Sequence, residues 1–146
     1  MKSIDVMKCK LVKESEIEYD AVKTPEDAAG VFISFGLGDS ADEIFAIACL
    51  AADGSINGVH EISHGDITSS PVHPREIMKR ALLNNAVSIV LGHCHPSMNP
   101  NPKPSQEDKD VTNRLIEAGK LMGVPVLDHI IISGMNHFSF RDAGMM

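Results

Sequence analysis

Two histidines one residue apart, His93-Cys94-His95, precede Pro96 and, further on, Ser105-Gln106-Glu107-Asp108. Two imidazoles and a carboxylate make a His2Asp set suited to zinc. Three protein ligands leave a fourth tetrahedral position open for water, the mark of a catalytic rather than a structural site. Water on zinc ionises near neutral pH and becomes a nucleophile. The cluster therefore points to metal-assisted hydrolysis.

Such residues need a scaffold that gathers them. Residues 86–92, Ala-Val-Ser-Ile-Val-Leu-Gly, are a short apolar run rich in β-branched side chains and read as a buried strand. His93 and His95 follow at its end. In extended chain, residues two apart point to the same side, so both imidazoles face one metal. Pro96 stops the pairing. Residues 96–104 hold four prolines and two asparagines and form a loop. Ser105 then reads as a helix N-cap, and Asp108 completes a capping-box-like Ser-x-x-Asp. Alone, a His-x-His at a strand end is usually packing, and a Ser-x-x-Asp is usually just a cap. Together, after a buried strand and across a proline-rich loop, they point to a metal.

The other elements follow from period and punctuation. Residues 8–14 alternate weakly and read as a strand. Thr24-Pro25-Glu26-Asp27 starts a helix, with a cap, a first-turn proline and acids. That helix runs to about Phe35 and ends at Gly36 or Gly38. Residues 44–52 form a buried strand, Asp53-Gly54 a hairpin turn, and residues 56–64 the partner strand. A helix from Pro74 to about Asn84 turns Ile77, Met78, Ala81 and Leu82 inward. After the 87–92 strand and the metal loop, a helix spans Gln106 to Leu121, with Gly123 as its C-terminal cap. A strand over 126–132 and a hairpin through Gly134-Met135-Asn136 to residues 138–140 complete the core. Helices alternating with strands, with at least one hairpin, give an α/β fold: a mixed sheet with helices packed on it.

At 146 residues, one domain over 1–146 is expected. Hydrophobic content of 43% and charged content of 23% are those of a soluble globular protein. No stretch has the length of a membrane span, and Met1-Lys2-Ser3-Ile4-Asp5 lacks the apolar core of a signal peptide. The three cysteines, Cys9, Cys49 and Cys94, are odd in number and widely spaced, which suggests reduced thiols in the cytoplasm. The net charge of −7 weakens attraction to phosphate backbones, and Lys8-Cys9-Lys10 with Lys13 is soon followed by Glu14, Glu16 and Glu18. Nucleic acid is therefore disfavoured as a partner.

The pattern resembles the JAMM (MPN+/JAB) metalloprotease motif, Glu…His-x-His-Pro…Ser-x-x-Asp, and more closely its RadC-like branch. The resemblance rests on Ser70-Pro71-Val72-His73-Pro74-Arg75-Glu76-Ile77, then His95-Pro96-Ser97, then Leu127-Asp128-His129-Ile130-Ile131-Ile132. It spans about residues 24–142 and implies a three-layer JAB/MPN fold similar to cytidine deaminases. It implies one Zn2+ per chain, held by His93, His95 and Asp108. Ser105 would polarise the substrate carbonyl or hold the oxyanion. The general-base glutamate falls on Glu43, before Ile44-Phe45-Ala46-Ile47; by residue type alone Asp42 or Glu61 would serve equally. The chain departs from the pattern in a 96–105 loop about two residues longer, and in Cys94, which stands where the family has a polar residue. Cys94 is expected to point away from the metal and pack. No N-terminal helix-hairpin-helix, as in longer RadC-like chains, is legible in the first residues.

Other residues invite a role. His73 reads as cap support or as a group behind the ligands, and Arg75 and Glu76 as local pairs. Asp128 is placed to accept the second N–H of a ligand imidazole, or else to make an entry-turn hydrogen bond. His60, His64 and His137 read as surface or half-buried histidines.

The expected function is zinc-dependent hydrolysis of an amide, peptide or isopeptide bond, with a peptide, ubiquitin-like conjugate or small amide as substrate. The alternatives are a catalytically silent interaction module and a DNA repair or recombination accessory protein of the RadC type. Zinc deaminases need a Pro-Cys-x-x-Cys, and there is no Cys-x-x-Cys here. Helical metalloproteases need a His-Glu-x-x-His on a helix; His60-Glu61-Ile62-Ser63-His64 has that order but falls in the run read as a strand.

Overall fold

The structure, a computed structural model, describes residues 1–19, 21–66 and 72–146. Among them the elements run α1 (Pro25–Phe35), β1 (Ile44–Leu50), β2 (Ile56–His64), α2 (Pro74–Leu83), β3 (Ser88–Cys94), α3 (Gln106–Met122), β4 (Val126–Ser133) and β5 (Asn136–Ser139). The strands form one five-stranded sheet in the order β2-β1-β3-β4-β5. β3 and β4 are parallel and the other neighbours antiparallel, so the sheet is mixed.

The two central strands β1 and β3 are apolar at nearly every position, because both sheet faces are covered. Alternation sorts their side chains. Phe45, Ile47, Cys49, Ile89 and Leu91 pack with Ile77, Met78 and Ala81 of α2 and with Val111 and Leu115 of α3. Ala46, Ala48, Leu50, Val90 and Cys94 pack with Ala28, Ala29 and Phe32 of α1. The result is three layers, with α1 on one face and α2 and α3 on the other. Gly92 makes the packing of α1 possible, since a Cβ there would lie 2.6 Å from three carbons of the Phe32 ring.

The helix ends follow their sequence signals. Thr24 and Asp27 exchange side chain–backbone hydrogen bonds in a capping box, and so do Ser105 and Asp108. Gly36 (φ 111°) and Gly123 (φ 73°) close α1 and α3 in the left-handed conformation.

Some expectations are corrected. Residues 8–14 form no strand; they are exposed, and without a partner a weak alternation earns no ladder. A bridge from Ala21 to Ser55, with the Val22 N–H donating to the Gly54 carbonyl at 2.8 Å, ties residues 21 and 22 to the β1–β2 turn. β3 runs on through His93 and Cys94, because β1 and β4 both continue to pair with it there. Ser70 and Pro71 lie outside the described residues. Among the described residues, no helix is long and apolar enough to cross a membrane.

Candidate metal centre

The alternation that sends Ile89 and Leu91 toward α2 and α3 sends His93 and His95 the same way. The His95 N–H bonds to the Ile132 carbonyl at 2.8 Å, so the chain stays in line with β4 one residue beyond β3. On the other side of β3, Phe45 pairs with His93 in the antiparallel β1 register. Continuing that register sets Glu43 opposite His95. α3 begins beneath the same strand ends, and its first turn carries Asp108. Four residues from three separate stretches of sequence thus meet at one corner of the sheet.

His93 (2% exposed) and Asp108 (0%) are buried. Asp108 Oδ1 lies 3.0 Å from His93 Nδ1, and Oδ2 lies 3.1 Å from His95 Nε2. Glu43 Oε2 is 4.0 Å from His93 Nε2. Glu43, His93 and His95 each bring one donor atom within 4.8 Å of the others. Asp108 borders that group through its contacts with both imidazoles.

The polar atoms here are incompletely satisfied. His93 Nδ1, Asp108 Oδ1 and Glu43 Oε2 are buried and have no hydrogen-bond partner among the described residues. The 3.0 Å approach of His93 Nδ1 to Asp108 Oδ1 is therefore a contact between a ring nitrogen and a carboxylate oxygen not aligned to bond each other. Buried polar atoms left unpaired cost about 1–3 kcal/mol each. Imidazole and carboxylate atoms clustered this way are the donor set that zinc takes, so these residues fit a metal.

Electrostatics favour the charged forms of Asp108 and His95. Burial alone would raise the Asp108 carboxyl, but contacts from His93 and His95, the His93 charge and the Ser105 N–H reverse this and hold it well below the usual carboxylate range. His95 is raised, mainly by its bond to Asp108, against the opposing effect of burial. Ser105 is exposed. Its hydroxyl oxygen accepts from the Asp108 N–H at 3.1 Å. That bond uses a lone pair and leaves the hydroxyl proton to donate outward.

Behind the cluster lies a relay that sequence reasoning missed. Thr112 Oγ1 donates to the Asp108 carbonyl at 2.6 Å. Its proton is thus committed, so at 2.6 Å it accepts from His129 Nδ1. His129 is fully buried, stacked 4.7 Å from the Phe140 ring, and its pKa is pushed down to about 3, chiefly by burial and then by the His93 charge. The Asp-x-x-x-Thr spacing, one helical turn, was the available signal.

Asp128 takes the entry-turn role rather than the one behind a ligand. It accepts from the backbone N–H groups of His129 and Arg141 and from the Ser139 hydroxyl, which ties β4 to β5. Its oxygens are spent on that side. His73 is the α2 N-cap but makes no side-chain cap bond. Arg75 and Glu76 pair locally. His60 bonds Asn84, and His64 bridges Asp42 and Glu61. Cys94 points away from the imidazoles, toward α1, as expected, but does more than pack: its thiol bonds the backbone of residues 42 and 44.

Fold and cluster together define a three-layer α/β protein, of JAB/MPN type, with a histidine–carboxylate centre at one corner of its sheet. The chain belongs to the RadC-like JAB domain family, whose model matches residues 22–145. It is 40% identical over 128 residues to a UPF0758 protein of Syntrophomonas wolfei, covering 86% of this chain and 54% of that one. Against a UPF0758 protein of Alkaliphilus oremlandii it is 46% identical over 100 residues, 68% of this chain and 42% of the other. A UPF0758 protein of Thiobacillus denitrificans is 41% identical over 126 residues, with 86% and 54% covered. The chain thus spans about half the length of the curated relatives it matches.

Proposed function

We propose that this chain is a zinc-dependent hydrolase of amide, peptide or isopeptide bonds. The observation that carries the reading is the buried, unpaired pair His93 Nδ1 and Asp108 Oδ1, with the equally unpaired Glu43 Oε2 beside them. His93, His95 and Asp108 would hold the metal. Bound there, zinc would act as a Lewis acid on the scissile carbonyl and make water a nucleophile at neutral pH.

The other residues divide the remaining work. Glu43 Oε2 has no competing donor among the described residues and takes the proton of the attacking water, then returns it to the leaving amine. The Ser105 hydroxyl donates to the oxyanion as the carbonyl carbon becomes tetrahedral. The α3 capping box holds Ser105 and Asp108 in one turn, so oxyanion donor and ligand keep a fixed separation. The substrate is proposed to be a peptide, a ubiquitin-like conjugate or a small amide.

The test is hydrolysis by zinc-loaded protein of a panel of quenched fluorescent peptides, isopeptide conjugates and small anilides, with Glu43→Gln as control. Cleavage by wild type and loss of at least about 100-fold in kcat in the variant are expected, the scale of general acid–base catalysis. Zinc-loaded wild type that cleaves nothing would overturn the hydrolase reading in favour of an interaction module. Loss of zinc from Glu43→Gln would instead make Glu43 a ligand, which its place in the compact donor group would accommodate.

A further inference from the structure

The β1–β3 backbone ladder ends at the Phe45–His93 pair. Glu43 lies two residues beyond it, where β3 offers no ladder bond to hold it. A side chain takes over at that point. Cys94 Sγ accepts from the Ile44 N–H at 3.2 Å and donates to the Asp42 carbonyl at 3.2 Å. The carbonyl of Glu43 itself accepts from the Gly65 N–H at 2.7 Å. Backbone groups of three successive residues are thus held. The two that flank Glu43 are gripped by one thiol, 1% exposed, that sits between His93 and His95.

We propose that Cys94 is a positioning residue for Glu43. Its thiol fixes the backbone on both sides of the carboxylate to the same short stretch that carries the imidazoles, and so sets the distance between them. Each sulfur bond is weak by itself, since a thiol is a poor donor and a poor acceptor. The pair works by geometry: it leaves residues 42–44 one placement relative to β3. The inference rests on Glu43 serving as the base.

The experiment compares Cys94→Ala, which keeps neither bond, with Cys94→Ser, which keeps a donor and an acceptor. Cys94→Val, which fills the space without either bond, replaces the alanine variant if that variant does not fold. Amide exchange of Ile44 and Leu91 is followed by NMR, zinc content by elemental analysis, and kcat and KM with a quenched fluorescent peptide and an isopeptide conjugate. In Cys94→Ala, Ile44 exchange should quicken about tenfold or more while Leu91 and zinc content stay unchanged. kcat should fall about 10- to 100-fold with KM nearly constant, as for a reacting group displaced by about 1 Å. Cys94→Ser should recover most of both effects. Unchanged Ile44 exchange, or faster exchange with unchanged kcat, would overturn the proposal while leaving the hydrolase reading intact. Wild type that cleaves neither probe would remove the base reading of Glu43, and positioning for catalysis with it.

Discussion

His129 donates through Nδ1 to the Thr112 hydroxyl, and the Thr112 hydroxyl donates in turn to the Asp108 carbonyl, both bonds at 2.6 Å. The relay joins the middle of β4 to the first turn of α3 inside the core. Thr112→Val keeps the shape but strands the His129 N–H, so it should cost about 1–3 kcal/mol in urea denaturation, the penalty for a buried unpaired donor. Thr112→Ser retains the hydroxyl and should lose clearly less. Equal losses in the two variants would show that the methyl, not the relay, matters.

Gly92 is a second point of tight fit. A methyl there would meet the Phe32 ring at 2.6 Å, well inside contact distance. Gly92→Ala should destabilise by about 1–3 kcal/mol, typical of overpacking. Phe32→Leu, which shortens the obstructing side chain, should recover part of that loss in the double variant. Strict additivity of the two changes, measured by chemical denaturation, would contradict the contact.

The His64 imidazole bridges Asp42 at 2.9 Å and Glu61 at 3.2 Å, and these bonds raise its pKa above 6.5, Asp42 contributing most. A base whose pKa is raised on folding adds stability that is full below its unfolded value and is lost as pH rises through the folded one. NMR titration should place the His64 midpoint above the ordinary value and return it toward that value in Asp42→Asn. A wild-type midpoint at or below the ordinary value would refute the bridge.

Much of this molecule was legible from residue order. The helix caps at Thr24 and Ser105 and the buried run before His93 announced elements that formed within a residue or two. Periodicity also gave the shared side of His93 and His95. The weak alternation at residues 8–14 misled because a strand needs a ladder, and no strand pairs with it among the described residues. Glu43 was harder, an ordinary acid in an acidic turn that only the family resemblance separated from Asp42. The bonds of Cys94 were out of reach, because its partners are backbone groups 50 and 52 residues away. Asp128 showed the limit of placing a carboxylate from strand position alone: beyond the next residue's N–H, its partners come from β5 and the turn after it.

The hydrolase reading depends on the proposed binding of a metal by His93, His95 and Asp108. That binding is tested most directly by elemental analysis of wild type and His95→Ala, both purified without added metal. About one zinc per chain is expected in wild type, as for a catalytic site with three protein ligands, with loss in the variant. Wild type that carries no metal as prepared, and takes up none on titration, would contradict the account.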